Sequence, residues 1–376
     1  MTPEPLPRPA QPSLSLRHWL KRNLFDGWFN SFLTIALLIL ILWAATNLLQ
    51  WAITQAQWTV VTTNLRLFLV GRYPIQQIWR VWVVLAIVVS MIGLSVLAES
   101  KKRRKRNLAS RRQEETNIPP LLHPPTSPRT HSPLPYIPIA FVLILWLLAG
   151  SFGLPKVGTN LWGGLLLTLI VAMTSTLLAF PFGVLLALGR QSSLPVLQGF
   201  CTAYIEIVRG LPLIGILFMA QVMLPLVLPG QPSIDRVIRA IVGLVLFNAA
   251  YLAESVRGGL QSIPRGQTEA ARALGLNLPL TLYLIILPQA LRIAIPAIVG
   301  QFISLFKDTS LLALFALLEL TGIGRSILAQ PQFLGRYAEV YLFVGLIYWV
   351  FCYTLSTMSR RIEGGNGSNR RLHTSR

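Results

Sequence analysis

The sequence predicts an all-α, polytopic membrane bundle of about eight transmembrane helices, and three observations carry that reading. Of the 376 residues, 53% are hydrophobic and 12% charged, against about 25% charged in soluble domains, so a water-soluble fold of this length lacks the charges to cover its surface. The 33 Lys+Arg and 13 Asp+Glu fall almost wholly between apolar runs rather than within them. Several of those runs also reach the ~20 residues a helix needs to cross about 30 Å of hydrocarbon.

Taken in order, the expected spans are Ser31–Ile53, Ile78–Leu97, the shorter Tyr136–Phe152, and Gly163–Leu188, whose Pro181 and Gly183 a packed membrane helix tolerates. Phe200–Leu228 follows, broken by Pro212 and Pro225, then Val237–Ala253, Ile293–Leu318 and Tyr337–Met358. Loop charge sets the direction. The unbroken cationic run Lys101–Arg106, extended by Arg111 and Arg112, is held on the cytoplasmic side. Both termini then fall in the cytoplasm, in agreement with Arg8, Arg17, Lys21 and Arg22 at one end and Arg360, Arg361, Arg370, Arg371 and Arg376 at the other. Arg257, Arg265 and Arg272 mark the loop after the sixth span as cytoplasmic too. The first apolar run is too long and starts too late for a cleaved signal peptide. Asn107–Pro135, rich in Pro, Ser, Thr and Arg, reads as a disordered cytoplasmic linker.

No aromatic residue interleaves with the basic run, so topology marking explains it better than nucleic-acid binding; contact with anionic membrane lipid is the remaining functional reading. Cys201 and Cys352 both lie in apolar segments, and His18, His123, His131 and His373 in polar flanks, so neither a disulfide framework nor a metal site is expected.

The most informative segment follows the sixth span, Glu254–Pro296. Arg265–Leu274 is Ala-rich and predicts a short helix. Gly275 stands where a helix C-terminus wants a left-handed residue. Asn277 can cap a second short helix with Pro279 in its first turn, and Pro288 ends or kinks that helix. The expected product is a cytoplasmic helix–turn–helix lying roughly in the membrane plane. Glu269 is a lone acid between Arg265 and Arg272, followed by the small Ala270 and Ala271. A directional carboxylate beside small side chains suits a docking knob, while an amphipathic helix resting on lipid is the competing reading.

This segment carries E-A-A-x3-G-x9-I-x-L-P without a gap, as Glu269, Ala270, Ala271, Gly275, Ile285, Leu287 and Pro288. The pattern resembles the signature of permease subunits of binding-protein-dependent ABC importers. Gly163–Arg190, Tyr204–Phe218 and Leu305–Gly322 are similar to polar-amino-acid permeases of the histidine and glutamine uptake type, and the similarity covers about Leu161–Ile362. It implies a type I importer permease core over 161–362, preceded by 1–106 with two spans, the linker 107–135 and an additional span over 136–160, and followed by a basic tail at 363–376. It further implies that the signature loop is a coupling helix contacting an ATP-binding subunit dimer. A second permease subunit (the same chain or another) and a periplasmic amino-acid-binding protein complete the implied assembly, in the bacterial inner membrane. The chain has no G-x4-G-K-[ST] phosphate loop. No cofactor is therefore expected on it, with ATP and Mg on the partner subunit, and it is expected not to be an enzyme by itself.

Few ionisable residues fall in or beside the core spans, where each is costly. Glu206 and Arg209 are three apart and can pair on one helix face. Lys307 and Asp308 are adjacent and need separate partners, with Thr309 and Ser310 offering hydroxyls. Two readings stay open: Glu206, Arg209, Lys307, Asp308 and Ser310 line an aqueous path for a zwitterion, or the charges form an ion pair locking the fifth span to the seventh. The alternative function is an ion-gradient-driven amino-acid transporter, which inverted repeats and mid-membrane carboxylates would favour. A membrane enzyme lacks any Ser/His/Asp or paired-carboxylate constellation. A channel leaves the docking loop unexplained.

Overall fold

The computed structural model describes residues 20–21, 23–90, 136–150, 153–227 and 234–367, with side chains at 136–138 and 361–367 excepted. Among them all regular structure is helical apart from one isolated bridge between Gly164 and Glu319. The basic run Lys101–Arg106, the linker 107–135 and all four histidines lie outside the described residues. Contacts divide the chain into two units, Met1–Thr59 and Val60–Arg376.

The first unit carries α1 (Trp28–Thr54), 27 residues long and apolar on every side, with none of them buried. A helix with no polar face belongs in lipid or against other protein. Its end is tied by Trp58, whose indole donates to the Ala52 carbonyl at 2.8 Å and meets Trp51 edge-on.

The second unit opens with two short helices, α2 (Thr59–Thr63) and α3 (Leu65–Val70), which hydropathy alone does not signal. Then come α4 (Ile75–Ser90), α5 (Tyr136–Ala149), α6 (Gly164–Arg190), α7 (Pro195–Gly210), α8 (Leu213–Val227), α9 (Arg236–Gln261), α10 (Arg265–Ala273), α11 (Leu278–Phe315), α12 (Leu320–Leu328) and α13 (Tyr337–Gly367). Over the described residues the expected spans coincide largely with helix, while 91–97 of the second and 151–152 of the third lie outside them. Among the described residues α1, α6, α9, α11 and α13 can each cross a membrane by length and composition, with α7 and α8 together a sixth, against the eight expected. The described part of α5 has 14 residues, about 21 Å at 1.5 Å each, against about 30 Å for a bilayer core.

Proline placement explains where the elements depart from expectation. α6 runs unbroken across Pro181. α7 starts earlier than the fifth expected span, at Pro195, and the chain bends by 105° where Leu211 and Pro212 turn extended before α8. Pro225 does not break α8, and Pro288 does not end the helix after Asn277. In both places a π-helical turn precedes the ring: Met219–Met223 closes on Leu224 N–H to the Met219 carbonyl, and Leu282–Ile286 on Leu287 N–H to the Leu282 carbonyl. Each widened turn makes room for a residue that has no N–H to give and whose ring would crowd the preceding turn. The second arm of the expected helix–turn–helix is therefore the foot of the seventh span, one helix from Leu278 to Phe315.

α6, α9 and α11 form the middle of the unit through small residues. A Cβ at Gly183 would stand 2.7 Å from Leu252 Cβ and 3.1 Å from the Ala249 carbonyl, and one at Gly259 would meet the Ala290 carbonyl and lie 3.1 Å from the Ala294 methyl. Close backbone approach of this kind packs helices where water supplies no driving force. Around it lie Ala179, Ala187, Ile205, Val256 and Ile286, all buried. A second cluster joins α2 and α3 to α12 and α13 through Val60, Phe68, Leu320, Ile323, Ile327 and Val340.

Candidate functional site

The loop between α9 and α11 forms as its residues dictate. α10 ends in a reverse turn with Gly275 at φ +77°, where Gly275 N–H bonds to the Arg272 carbonyl at 2.9 Å and Leu276 N–H to that of Ala271 at 3.1 Å. This pair is the Schellman arrangement, and only glycine takes that φ without strain. Asn277 Oδ1 then accepts from Leu280 N–H at 3.0 Å, capping α11. Gln289 joins the two arms, donating to Gln267 Oε1 at 3.4 Å and to the Ile285 carbonyl at 2.8 Å.

These contacts sort the seven signature residues. Glu269 and Ala270 are exposed on α10, and among the described residues Glu269 forms no ion pair. Ala271 is α10's buried residue, 1% exposed, and seats the helix on the bundle. Gly275 makes the turn, Ile285 and Leu287 are half-buried in the foot of α11, and Pro288 is exposed. Leu274, Leu278, Tyr283 and Leu284 add exposed apolar surface around the turn. A bare carboxylate beside an uncovered apolar rim is a surface a partner can bury.

Immediately above this loop is a charge cluster that sequence spacing misassigns. Glu206 does not pair with Arg209, three residues along; its partner is Arg190 at the end of α6, at 2.9 Å. Arg190 also reaches Glu254 at 2.6 Å, and Glu254 takes Arg257 at 2.8 Å and Arg209 at 3.7 Å. Arg209 stacks over the Tyr251 ring, 5.6 Å from its centroid. The hub is thus Glu254, which joins α6, α7 and α9. Arg190 and Glu254 went unnoticed because they sit at span ends 64 residues apart, where only tertiary packing pairs them.

Lys307 is exposed and Asp308 half-buried near the far end of α11, and neither forms an ion pair among the described residues. Among the described residues no ion pair locks α7 to α11. Ser310, half-buried, follows in the 3-10 turn that closes α11. Between the two ends lies a polar bridge that was also missed: Gln301 donates to the fully buried Asn248 at 2.8 Å, linking α11 to α9. The signal for it was an amide in each of two apolar spans, where polar side chains seek one another.

At the end opposite α10, Glu319 caps α12. It is fully buried, its carboxylate accepts from Thr321 and Gly322 N–H at 2.8 Å each, and the Tyr348 hydroxyl donates at 3.2 Å. Burial pushes its carboxyl up to about 7, outweighing the hydrogen bonds that favour ionisation.

A family profile described as a binding-protein-dependent transport system inner membrane component matches residues 179–365. The chain is 38% identical to the inner membrane amino-acid ABC transporter permease protein YhdY of Escherichia coli (strain K12), with 98% of each chain covered. It is 33% identical to the glutamate/glutamine/aspartate/asparagine transport system permease protein BztC of Rhodobacter capsulatus, with 95% of each covered. The probable glutamine ABC transporter permease protein GlnP of Bacillus subtilis (strain 168) is 40% identical, over 54% of this chain and 92% of that one. The first two matches run through the N-terminal part, whereas the third leaves about half of the chain unmatched. Among solved structures, a crystal structure of an amino acid ABC transporter with histidines is similar over 53% of this chain and 91% of that one, at 29% identity and a TM-score of 0.48.

Proposed function

Because the chain belongs to the family of binding-protein-dependent transport system inner membrane components, we propose that it is the permease subunit of an ATP-driven amino-acid importer in the inner membrane. The observation that carries this reading is the α10 loop, a capped helix with an exposed carboxylate at Glu269 that forms no ion pair among the described residues, and an exposed apolar rim. ATP and Mg belong to a separate ATPase dimer docked there, and this chain carries no ATPase site of its own. A second permease chain and a periplasmic amino-acid-binding protein complete the assembly. The basic loops hold both termini and α10 in the cytoplasm.

Movement at α10 reaches the bundle along two routes. α11 is continuous with the loop, so its foot carries displacement toward Gln301 and Lys307. α9 enters the loop from the other side, four residues after Arg257. The Arg190–Glu206–Glu254–Arg209 cluster stands at the cytoplasmic end of the path, Lys307, Asp308 and Ser310 toward the outer end, and Asn248 with Gln301 between. Charges of both signs suit the two ends of a zwitterion. The relatives' names favour amino acids of the polar and acidic kind.

The test is a gentle detergent pull-down of the tagged chain from native membranes beside Glu269→Lys. A nucleotide-binding subunit that copurifies with wild type and is lost from the variant is the expected result. A chain that comes out alone, with transport that survives ATP depletion, overturns the reading and favours gradient-driven transport.

A further inference from the structure

α11 presents two different faces. Gln301 points to α9, where it meets Asn248. Val299 and Ile303, two residues to either side, point the other way at about 100° per residue. With Phe302 they face Leu355, Met358 and Ser359 of α13 across an apolar cleft of about 200 Å³. Ser359, the polar one of the six, is buried. One turn further along α11, Phe306 packs on Tyr348 and Phe351, with ring centroids 5.3 and 5.6 Å apart. The two helices close on each other there, and the cleft lies on the α10 side of that contact.

The mouth of the cleft is cationic. Arg292 stands seven residues before Val299, two turns down the same face of α11 and about 10 Å away. Arg360 follows Ser359 directly on α13. Both are exposed, and neither forms an ion pair among the described residues. Each also stands where an apolar run gives out, Arg292 just before Ile293–Leu318 and Arg360 two residues past Tyr337–Met358. In a bilayer that is the level of the headgroups, with the cleft in the hydrocarbon beside it.

From the cleft and its mouth we propose that α11 and α13 form a binding site for one anionic phospholipid, with an acyl chain in the cleft and the phosphate at Arg292 and Arg360. An apolar cavity of about 150 Å³ already binds benzene, so this cleft takes a length of hydrocarbon chain. The guanidinium fork matches phosphate oxygens, and long arginine stems reach the interface while their heads stay wet. Basic pockets between spans suit anionic headgroups for these reasons. An amino acid does not match the cleft, since the lining offers nothing to its ammonium or carboxylate. Topology marking explains cations at this end of the bundle, but not the apolar cleft beside them. The inference depends on the membrane bundle alone and holds whatever solute the protein carries.

The test is native mass spectrometry of the purified protein, with any subunits it retains, titrated with phosphatidylglycerol or phosphatidylcholine of equal chain length. Wild type should hold one phosphatidylglycerol per chain about tenfold more tightly than phosphatidylcholine. Arg292→Gln with Arg360→Gln should lose that preference, and Arg292→Lys with Arg360→Lys should keep most of it. Val299→Phe fills the cleft without touching a charge and should weaken retention of both lipids about fivefold. Should that variant fail to fold, the glutamine and lysine pairs still decide. Equal retention of the two lipids by wild type, or an unchanged preference in the glutamine pair, overturns the site. Wild-type retention in folded Val299→Phe reduces the effect to headgroup attraction at the surface and overturns the cleft. Release of the lipid by a mixture of the twenty amino acids assigns the cleft to solute and also overturns it. So does a site that fills only once the chain is separated from a second copy, which makes the cleft a contact between chains.

Discussion

Replacing Gly275 by valine puts a β-branched side chain at φ +77°, a region that L-residues with branched Cβ essentially avoid. A Cβ built there meets nothing within 4 Å, so the cost is backbone strain and not collision. Left-handed backbone costs an L-residue about 1–2 kcal/mol, and branching with weakening of the two turn bonds brings the total to about 2–3 kcal/mol. At about 1.4 kcal/mol per tenfold, the native turn loses roughly 30- to 150-fold in population against other loop conformers. The bundle should not feel this, because Gly275 is exposed and α10 buries Ala271 alone. The assay is uptake of labelled amino acid in cells, normalised to permease in the membrane, with binding-protein-stimulated ATPase alongside. Gly275→Val should lose at least about fivefold of uptake at unchanged abundance, while Gly275→Asn, which tolerates the left-handed region, keeps most of it. Wild-type uptake in the valine variant, or equal loss in both, would refute the claim that the turn geometry transmits the coupling.

Two further predictions concern buried carboxylates. Glu254→Gln leaves Arg190, Arg209 and Arg257 around a neutral amide; Glu254 is 17% exposed, so the ~3–5 kcal/mol for breaking a buried pair is discounted to roughly 2 kcal/mol. Glu206→Gln, 56% exposed with one partner, should cost under about 1 kcal/mol, and equal shifts of melting temperature in detergent would contradict a hub at Glu254. Glu319 has its carboxyl raised from 4.5 to about 7, so the folded state binds the extra proton and stability is full below pH 4.5 and falls as pH rises toward 7. The loss reaches roughly 3 kcal/mol at about 1.4 kcal/mol per unit. Glu319→Gln should flatten the melting temperature against pH over that window, and an unchanged slope would place the titration elsewhere.

Much of the candidate site was legible along the chain because its causes are local. The sequence marks Gly275 and Asn277 as caps, and both act as caps, since capping depends on a few neighbouring residues. What was misread depended on what lies across a helix interface. Pro288 is expected to end or kink its helix, and it does not end it, because a π turn carries α11 past it, supported by the packing of Ile286 and Ala290. Glu206 and Arg209 shared a face, but Arg190 comes closer.

By itself, then, the sequence determined that this protein is a helical membrane bundle and that a capped loop carrying a lone carboxylate interrupts its spans. Hydropathy over about 20 residues and turn chemistry over four or five are properties of adjacent residues. Tertiary structure alone decided that Arg190 and Glu254 meet, that Gln301 bridges to Asn248, and that α2 and α3 pack on α12. It also decided that Asp235 and Glu319 act as caps and that Arg80 is buried. Those outcomes follow from close approach between distant segments, at Gly183 and Gly259 above all, where the missing side chain sets how near two helices come and hence which side chains can reach each other.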